Sequence, residues 1–307
     1  MKGGGVLIRD TLYIGALLHD IGKFTERSKS YPAGDKFQVI NTGHPKYSAQ
    51  LLDILMEKNS FFKQFPQDLI ELVLYHHQPR NHREKIIQLA DWLSSSERES
   101  GDTREIYFSV PLSPIFTRLF GKENDELGYN LRELSFAAIF PQGNPHINTH
   151  KYKVLVDSFF NELSLVQNET QLLYLLEEYL WCVPAQTTNY IPDISLYDHA
   201  KTTACIALCL FDQYEAGDLT QADFQEMDNS KKEQFILISG DVSGIQDFIF
   251  NIPSKGAAKS LKGHSVYLSL LSDVLTRFLI RELNLKEVNV LYNGGGNFYI
   301  LAPKSKE

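Results

Sequence analysis

The residues of this sequence that could do chemistry begin with an adjacent His19–Asp20 pair in the segment LLHDIGKF. Its neighbours Leu17, Leu18 and Ile21 are apolar, which predicts that the pair lies where a helix faces a core. A buried carboxylate needs a partner, because an unpaired buried charge is costly. That partner is either a divalent metal or a plain hydrogen bond between the two side chains. The dipeptide alone leaves both interpretations open.

Further side chains of metal-ligand type follow at helix ends or on apolar helices. They are His44 in TGHPKYSAQ, His76 and His77 at the end of QDLIELVLYHHQP, and Asp91 in IIQLADWL. The order H-D, H, H-H, D resembles that of the HD phosphohydrolase superfamily, in which helices bring His and Asp side chains onto one or two divalent metals. The resemblance implies that His19 and Asp20 are catalytic. It also implies that Asp20 bridges two metals, which clamp a phosphodiester and activate water.

The superfamily pattern opens with a His on a helix before the HD pair, and no His precedes His19 here. A candidate lies far downstream at His199 in SLYDHAKTTACIALCL, where small and apolar residues recur at helical period. Either His199 supplies the missing ligand and the domain is circularly permuted, or it is a surface residue near a helix N-terminus. Cys205 and Cys209 on this helix are expected to be core residues, because no second cysteine pair exists to complete a zinc site.

Helices must position these side chains. Apolar periodicity predicts helices within 9–99, 151–181 and 195–216, whereas prolines punctuate 100–150. From Phe235 the pattern changes, and it predicts a strand at 235–241, a helical stretch at 245–283 and a hairpin at 288–302. We therefore predict an α+β protein. Its predicted parts are an all-helical HD core at 1–100, a connector or insertion at 101–190, a helix at 191–217 that completes the HD domain, and a second domain at 231–307.

Composition limits the partners and the compartment. The 307-residue chain has a formal net charge of −8, so contact with nucleic acid would need a local basic patch. Its three cysteines offer no disulfide framework, which fits a reducing cytosol. No apolar run is long enough to span a membrane, and Arg9 and Asp10 interrupt the apolar start, unlike a signal peptide. We expect a cytoplasmic protein with no membrane partner.

Three segments after the HD motifs indicate a family more specifically than the His and Asp residues do. They are GDVSGIQDFIF, SKGAAKSLKGHSVYLSLL and YNGGGNFYIL. Together with HHQP and ADWLSSSERES they resemble the large subunit of type III CRISPR effector complexes, in its Csm (III-A) rather than its Cmr variant. The resemblance covers nearly the whole chain. It implies a target-RNA-activated antiviral machine, whose HD domain cuts single-stranded DNA and whose two palm domains make cyclic oligoadenylates from ATP.

The resemblance also implies that 231–307 is a truncated first palm, a ferredoxin-like βαββαβ unit. In a catalytic palm the hairpin turn carries paired acids, but the turn at 293–297 reads NGGGN and has none. We therefore expect a nucleotide-binding half-site, with the family's catalytic GGDD turn beyond residue 307 of a longer protein. The residues expected near ATP are Asp241, Ser243, Gly244, Gly294, Gly295 and Gly296. The lysines Lys255, Lys259 and Lys262 either contact phosphates of ATP or RNA, or form a solvated basic loop.

The main functional prediction is a metal-dependent, HD-family nuclease that cuts single-stranded DNA. Mn²⁺ is the expected metal, with Ni²⁺, Co²⁺ or Mg²⁺ as alternatives, and ATP is the expected ligand of the palm. Expected partners are the crRNA-containing effector complex, especially the subunit that caps the crRNA 5′ end and the small subunit, together with target RNA indirectly. Two alternatives stay open: a structural subunit with an inert HD site, and a free-standing HD phosphohydrolase that acts on nucleotides. The palm from residue 235 argues against the second.

Overall fold

The protein is described by a computed structural model, which covers residues 3–30, 35–37, 43–95, 108–120, 126–187, 192–226, 233–251 and 256–306. The chain divides into two compact units, Met1–Leu208 and Cys209–Glu307. The fold is α+β, as predicted. The finer division into four segments stays a prediction. In the described part of the chain, no helix has the length and apolarity that a membrane crossing requires.

The first unit is mainly helical. Its helices are α1 (Gly3–Leu18), α2 (Ile21–Ser28), α3 (Pro45–Lys58), α4 (Ser60–Lys63), α5 (Asp68–Tyr75), α6 (His82–Ser94), α7 (Ile115–Leu119), α8 (Thr149–Leu163), α9 (Glu169–Leu180) and the start of α10 (Leu196–Ala216). One short antiparallel ladder, β1 (Leu127–Gly128) with β2 (Gln142–Gly143), lies in the predicted connector. The sequence did not predict this ladder, because two-residue strands have no alternation to detect.

Asparagine side chains begin several of these helices. Asn59, Asn81, Asn148 and Asn168 precede α4, α6, α8 and α9, and each side-chain oxygen accepts a hydrogen bond from a backbone N–H of the first turn. Such caps satisfy donors that the helix cannot pair internally. They therefore define where α6, which carries Asp91, begins.

Helices α1, α3, α5 and α6 pack around one another and bury a common core, while α2 packs between α3 and α8. The apolar faces of α1 and α5 are almost wholly buried, as at Leu12, Leu17, Leu69 and Val73. Burial of each such side chain stabilises the fold by about 1.5–3 kcal/mol. The ends of α1 and α5 are consequently held in one place relative to α3 and α6.

The start of α10 is anchored by contacts between residues far apart in sequence. Pro184 pairs with Ser195 in an antiparallel bridge, and the Leu196 N–H donates to the Val183 carbonyl at 2.6 Å. Arg27 of α2 donates to the Pro184 carbonyl at 2.7 Å. These bonds connect the first turn of α10 to the helices that follow the HD pair.

The second unit contains α11 (Gln221–Glu226), β3 (Phe235–Asp241), α12 (Ile245–Phe250), α13 (Ala257–Glu282), β4 (Val290–Gly294) and β5 (Asn297–Pro303). The strands form an antiparallel sheet in the order β3-β5-β4. Side chains of one face of β5, Phe298, Ile300 and Ala302, are buried with Leu285. The strand predicted at 235–241 coincides with β3, and the predicted hairpin contains β4 and β5.

Candidate metal centre

The predicted ligands of the first unit lie at helix ends. His19 and Asp20 directly follow α1, and Asp20 is the N-cap of α2. His44 is the N-cap of α3, and His76 is the C-cap of α5. The remaining predicted ligands are His77, which follows His76, Asp91 in the last turns of α6, and His199 in the first turn of α10. The packing of these helix ends brings all of the predicted ligands into one cluster.

Asp20 lies at the centre of this cluster. Its Oδ1 is 2.7 Å from Nε2 of His44 and 3.9 Å from Nε2 of His76. Its Oδ2 is 3.5 Å from Nε2 of His19 and 3.3 Å from Nε2 of His199. The two carboxylate oxygens thus face two different pairs of imidazoles.

Two groups of donor atoms could each hold a metal ion, with the atoms of a group within 4.8 Å of one another. One group is His44, His76 and His77, and the other is His19, Asp20, Asp91 and His199. In the second group, Nε2 of His199 lies 3.1 Å from Oδ1 of Asp91. Mixed nitrogen and oxygen donors of this kind suit divalent transition metals.

The unpaired atoms of the cluster fit a metal better than a network of hydrogen bonds. Nε2 of His19, His76 and His199 is buried without a hydrogen-bond partner in the described structure. Such atoms are rare in native proteins, because desolvation without a bond is costly. Nδ1 of His19 lies 2.7 Å from the Ala16 carbonyl, and Nδ1 of His76 lies 2.7 Å from the Val73 carbonyl. A carbonyl only accepts, so in each neutral ring the proton is on Nδ1 and the Nε2 lone pair is free.

The charge states of the cluster follow from burial and from neighbouring charges. Burial of the Asp20 carboxylate opposes ionisation, but Lys23 and the nearby imidazoles outweigh it and hold the Asp20 pKa well below its usual range. Burial also lowers the pKa of His44 to about 4 and that of His76 well below 6.5. Burial disfavours the His19 imidazolium, yet the Asp20 and Asp91 carboxylates outweigh it and raise the His19 pKa. Asp20 is therefore an anion and His44 and His76 are neutral at pH 7, the forms that bind metals.

Lys23 is a cation at this cluster that the sequence reasoning did not single out. Its Nζ lies 2.5 Å from Oδ2 of Asp20, three residues earlier in the chain. The only signal in the sequence was its place in HDIGK, one helical turn after the pair. The side chain is mostly covered, with 17% of its surface exposed, and it offsets part of the carboxylate charge.

Gly22 permits the close approach of α2 to the start of α3. A Cβ at this position would lie 2.0 Å from the His44 carbonyl oxygen and 2.7 Å from the Ser48 nitrogen. The Gly22 N–H donates to the Ser48 hydroxyl at 2.8 Å, and that hydroxyl donates to the His19 carbonyl at 2.8 Å. Glycine is therefore needed here for His44 to reach Asp20.

A Gly22→Ala variant is expected to push the two helices apart. We expect the free energy of unfolding to fall by about 1–3 kcal/mol, as in overpacked sites. We also expect Mn²⁺ affinity to fall by about 10-fold or more, because His44 moves away from Asp20. Urea denaturation and titration calorimetry measure the two effects. Gly263→Ala in α13 is the control, because a Cβ there meets nothing within 4 Å. Unchanged Mn²⁺ affinity in Gly22→Ala would contradict this role of Gly22.

The residues expected to bind a nucleotide in the second unit are only partly brought together. Gly294, Gly295 and Gly296 line a pocket of about 300 Å³ with Asn293, Ser272 and residues of α12 and α13. Asp241, Ser243, Gly244, Lys259 and Lys262 are not among its lining residues, and Lys255 lies outside the described residues. Asp241 is instead paired with Asn297 across the β3–β5 ladder.

The polar wall of this pocket was not predicted. The Ser272 hydroxyl donates to Oδ1 of Asn293 at 2.5 Å, and Nδ2 of Asn293 donates to Asp273 at 2.8 Å. Gly296 has a φ of +88°, and a Cβ there would lie 2.0 Å from Cδ1 of Ile245, so this position of the turn requires glycine. Ser272 and Asp273 lie within a helix that reads as ordinary amphipathic sequence, which explains why no motif revealed them.

Two known protein families match separate parts of this chain. Residues 6–96 match the family model of the HD domain, and residues 234–307 match the model described as Csm1 subunit domain B. The match to the HD domain includes every residue of the His and Asp cluster except His199. This class implies a divalent metal, and the donor set described above fits one.

The relatives define the family more closely. The single-strand-specific deoxyribonuclease Cas10/Csm1 (subtype III-A) of Methanocaldococcus jannaschii is 35% identical, over 96% of this chain and 41% of that protein. That of Thermococcus onnurineus is 33% identical, over 96% of this chain and 38% of that protein. These matches confirm the predicted resemblance to the large subunit of type III-A effector complexes. The chain spans about two-fifths of the length of these relatives.

Solved structures are similar over almost the whole chain. A crystal structure of a Csm1–Csm4 cassette in complex with pppApA has a TM-score of 0.74 and 29% identity, and covers 97% of this chain and 40% of that one. A crystal structure of Csm1 in T. onnurineus has a TM-score of 0.73 and 29% identity, with the same coverage of both chains. Another similar structure is of the Csm1–Csm4 cassette with one ATP.

Proposed function

We propose that this protein is a metal-dependent phosphodiester hydrolase that cuts single-stranded DNA through its HD domain. The observation that carries the proposal is the position of Asp20, whose two carboxylate oxygens face separate imidazole pairs. Three of these four imidazoles, His19, His76 and His199, have a buried Nε2 without a hydrogen-bond partner in the described structure. An anion placed between two sets of nitrogen donors is the arrangement that a pair of divalent cations needs. The names of the relatives, single-strand-specific deoxyribonucleases, support the substrate.

The proposed ligands divide between two metal positions. His44, His76 and His77 would hold one metal, and His19, Asp20, Asp91 and His199 would hold the other, while Oδ1 of Asp20 also faces the first group. When bound, divalent cations at such sites supply Lewis-acid charge and lower the pKa of water. Asp20 and Asp91 provide the negative charge of the pocket, and burial keeps His44 and His76 neutral, so that they provide lone pairs. Mn²⁺ is the proposed metal, because the carboxylates of Asp20 and Asp91 suit it, and Ni²⁺, which the imidazoles suit, is an alternative together with Co²⁺ and Mg²⁺.

We also propose that the HD domain is circularly permuted, with α10 in the place of the superfamily's opening helix. Three observations support this. His199 lies on the first turn of α10, its Nε2 is 3.3 Å from Asp20, and its ring lies 5.3 Å from that of His19 between centroids. The Pro184–Ser195 bridge and the Arg27 bond place that turn beside the HD pair although it is distant in sequence.

The cluster favours a flexible substrate. His19, His76 and His199 are fully buried, whereas His77 is exposed and His44 is partly so. A phosphodiester must therefore approach from the side of His44 and His77. A single strand can bend a phosphate into such a recess, but a stiff duplex cannot bring its backbone as close without distortion.

We expect single-stranded DNA to be cut at least about 10²-fold faster than the same sequence in a duplex, since a misplacement of about 1 Å has that effect on rate. End-labelled oligonucleotides with Mn²⁺ measure the two rates. A duplex with a single-stranded tail serves as an internal control, and cuts are expected in the tail alone. Equal rates on single-stranded and duplex DNA would count against this substrate.

The proposed setting is a cytoplasmic, crRNA-containing type III effector complex. Similar structures are titled Csm1–Csm4 complexes, including a subcomplex of the type III-A interference complex, which supports a partner of the Csm4 kind. The subunit that caps the crRNA 5′ end and the small subunit are the proposed neighbours.

The two alternative functions predict other results. An inert structural subunit would show no Mn²⁺-dependent cleavage, and a free-standing phosphohydrolase would prefer nucleotides over DNA strands.

A second proposed activity is nucleotide binding by the second unit as half of a palm. The order β3-β5-β4, with helices between β3 and β4, is that of the first three strands of a ferredoxin-like βαββαβ unit. The pocket at Gly294–Gly296 offers close backbone approach and the polar pair Ser272 and Asn293. Titles of similar structures name ATP and AMPPNP, which supports an adenine nucleotide as ligand. Titration of ATP against a Ser272→Val variant tests this pocket, and unchanged affinity would contradict it.

A further inference from the structure

His199 differs from the other buried histidines in how its Nδ1 can be satisfied. His19 and His76 follow the last turns of α1 and α5, where carbonyls lack intrahelical donors, so each ring donates to a carbonyl three residues earlier. His199 lies in the first turn of α10, where the unpaired groups are N–H rather than C=O. An acceptor for its Nδ1–H must therefore come from another part of the chain.

Ser94, the last residue of α6, provides that acceptor. Its Oγ lies 3.2 Å from Nδ1 of His199, 2.8 Å from Oγ1 of Thr203 and 2.9 Å from the Asp91 carbonyl oxygen. A hydroxyl has one proton and two lone pairs, and a carbonyl can only accept. The Ser94 proton therefore goes to Asp91, which leaves both lone pairs to accept from His199 and Thr203. All of the bonding capacity of the hydroxyl is used in one arrangement.

We propose that Ser94 is a positioning residue that sets the tautomer of His199, an inference that rests on the proposed metal centre. With the proton held on Nδ1 by Ser94, the Nε2 lone pair of His199 faces Asp20 and Asp91, where it is buried and unpaired. Without Ser94 the proton moves to Nε2, which lies 3.1 Å from Oδ1 of Asp91 and can donate to it. In that tautomer the remaining lone pair is on Nδ1, so Nε2, which faces Asp20 and Asp91, offers none to a metal.

The same hydroxyl connects two elements that are distant in sequence. Ser94 bonds to the backbone of Asp91 on its own helix and to His199 and Thr203, one turn apart, on α10. It thus holds the relative positions of Asp91 and His199 as well as the tautomer. Outer partners of metal-binding histidines commonly act in this way, and their loss lowers metal affinity by about 10- to 100-fold.

The test uses the full chain with ¹⁵N-labelled histidine and no metal. Long-range ¹H–¹⁵N spectra report which ring nitrogen of His199 carries the proton, and a His199→Gln variant assigns its signals. The parent is expected to show the Nδ1–H tautomer, and Ser94→Ala is expected to shift the proton towards Nε2. Ser94→Thr keeps the hydroxyl and is expected to restore the parent tautomer. Ser95→Ala is the matched control, because the Ser95 hydroxyl bonds the same Asp91 carbonyl, at 2.7 Å, but not His199.

Titration calorimetry with Mn²⁺ gives the second measurement. Ser94→Ala is expected to bind Mn²⁺ about 10- to 100-fold more weakly than the parent, and Ser94→Thr to recover the parent affinity. An unchanged Nδ1–H tautomer in Ser94→Ala, or failure of Ser94→Thr to restore affinity, would overturn the proposal. A failure of the proposed metal centre can be distinguished from a failure of the proposed role of Ser94. It would appear as unchanged Mn²⁺ affinity in His199→Ala, while the metal-free spectra still decide whether Ser94 sets the tautomer.

Discussion

An Asp20→Asn variant is expected to lose DNA cleavage by at least about 10²- to 10³-fold while keeping its fold. Asparagine has the shape of aspartate but removes the anion at the centre of the cluster. Its amide nitrogen is a donor, so one of the two positions that face the imidazole pairs no longer offers a lone pair. The fold should survive, because loss of the buried charge of Asp20 removes a desolvation cost and asparagine fills the same space.

Cleavage of end-labelled single-stranded DNA with Mn²⁺ measures the loss, and circular dichroism with urea denaturation measures the fold. Asp53→Asn is the matched control. Asp53 lies on α3 in the same unit, and its carboxylate pairs at 2.6 Å with Lys36, away from the cluster. Exposed pairs of this kind contribute little to stability. Cleavage at the parent rate by Asp20→Asn would show that the assigned chemistry is wrong.

A His199→Ala variant is expected to bind Mn²⁺ about 10-fold more weakly or worse, because it removes a nitrogen donor that faces both Asp20 and Asp91. The helix should persist, since alanine has the highest helix propensity. Cleavage should fall together with affinity and be partly recovered at high Mn²⁺ concentration. Asp20→Asn should not be recovered in this way if its anion serves both metal positions.

The control for this variant is His150→Ala. His150 is an exposed imidazole in the first turn of α8, a position equivalent to that of His199 in α10. Calorimetric titration of both variants with Mn²⁺ separates loss of a ligand from loss of any histidine at a helix start. Equal affinity of His199→Ala and the parent would end the assignment of His199 and, with it, the main support for the permutation.

Local patterns predicted most of the elements that carry the cluster. The apolar periods of α1, α5 and α6 are visible in the sequence, and so are His19, Asp20 and the His76–His77 pair at or near the ends of these helices. The short apolar run of β3 and the glycine turn between β4 and β5 were equally visible in the sequence. Each of these signals depends on neighbours within one or two turns, which is the range over which backbone geometry imposes a period.

In the second unit, such local signals did not predict which side chains share a pocket. Asp241 and the glycines of the turn were expected near the same nucleotide, because the resemblance to a palm implies an acidic end of the first strand beside the hairpin turn. The structure pairs Asp241 with Asn297, whereas the pocket of Gly294–Gly296 is completed by Ser272. Which side chains share a pocket depends on how α13 packs on the sheet, and no spacing within either element contains that information.

The sequence by itself determined the ligand types, the helices that carry them and the resemblance to HD phosphohydrolases and type III-A large subunits. It left His199 undecided between a ligand and a surface residue. Only the tertiary structure placed His199 beside Asp20, through the Pro184–Ser195 bridge and the Arg27 bond to the Pro184 carbonyl. Only the tertiary structure also shows that Ser94 contacts His199 on α10. The physical reason is that the surroundings of His199 are set by residues far from it in sequence, such as Ser94, 105 positions earlier, and the periodicity of a single helix cannot encode such contacts.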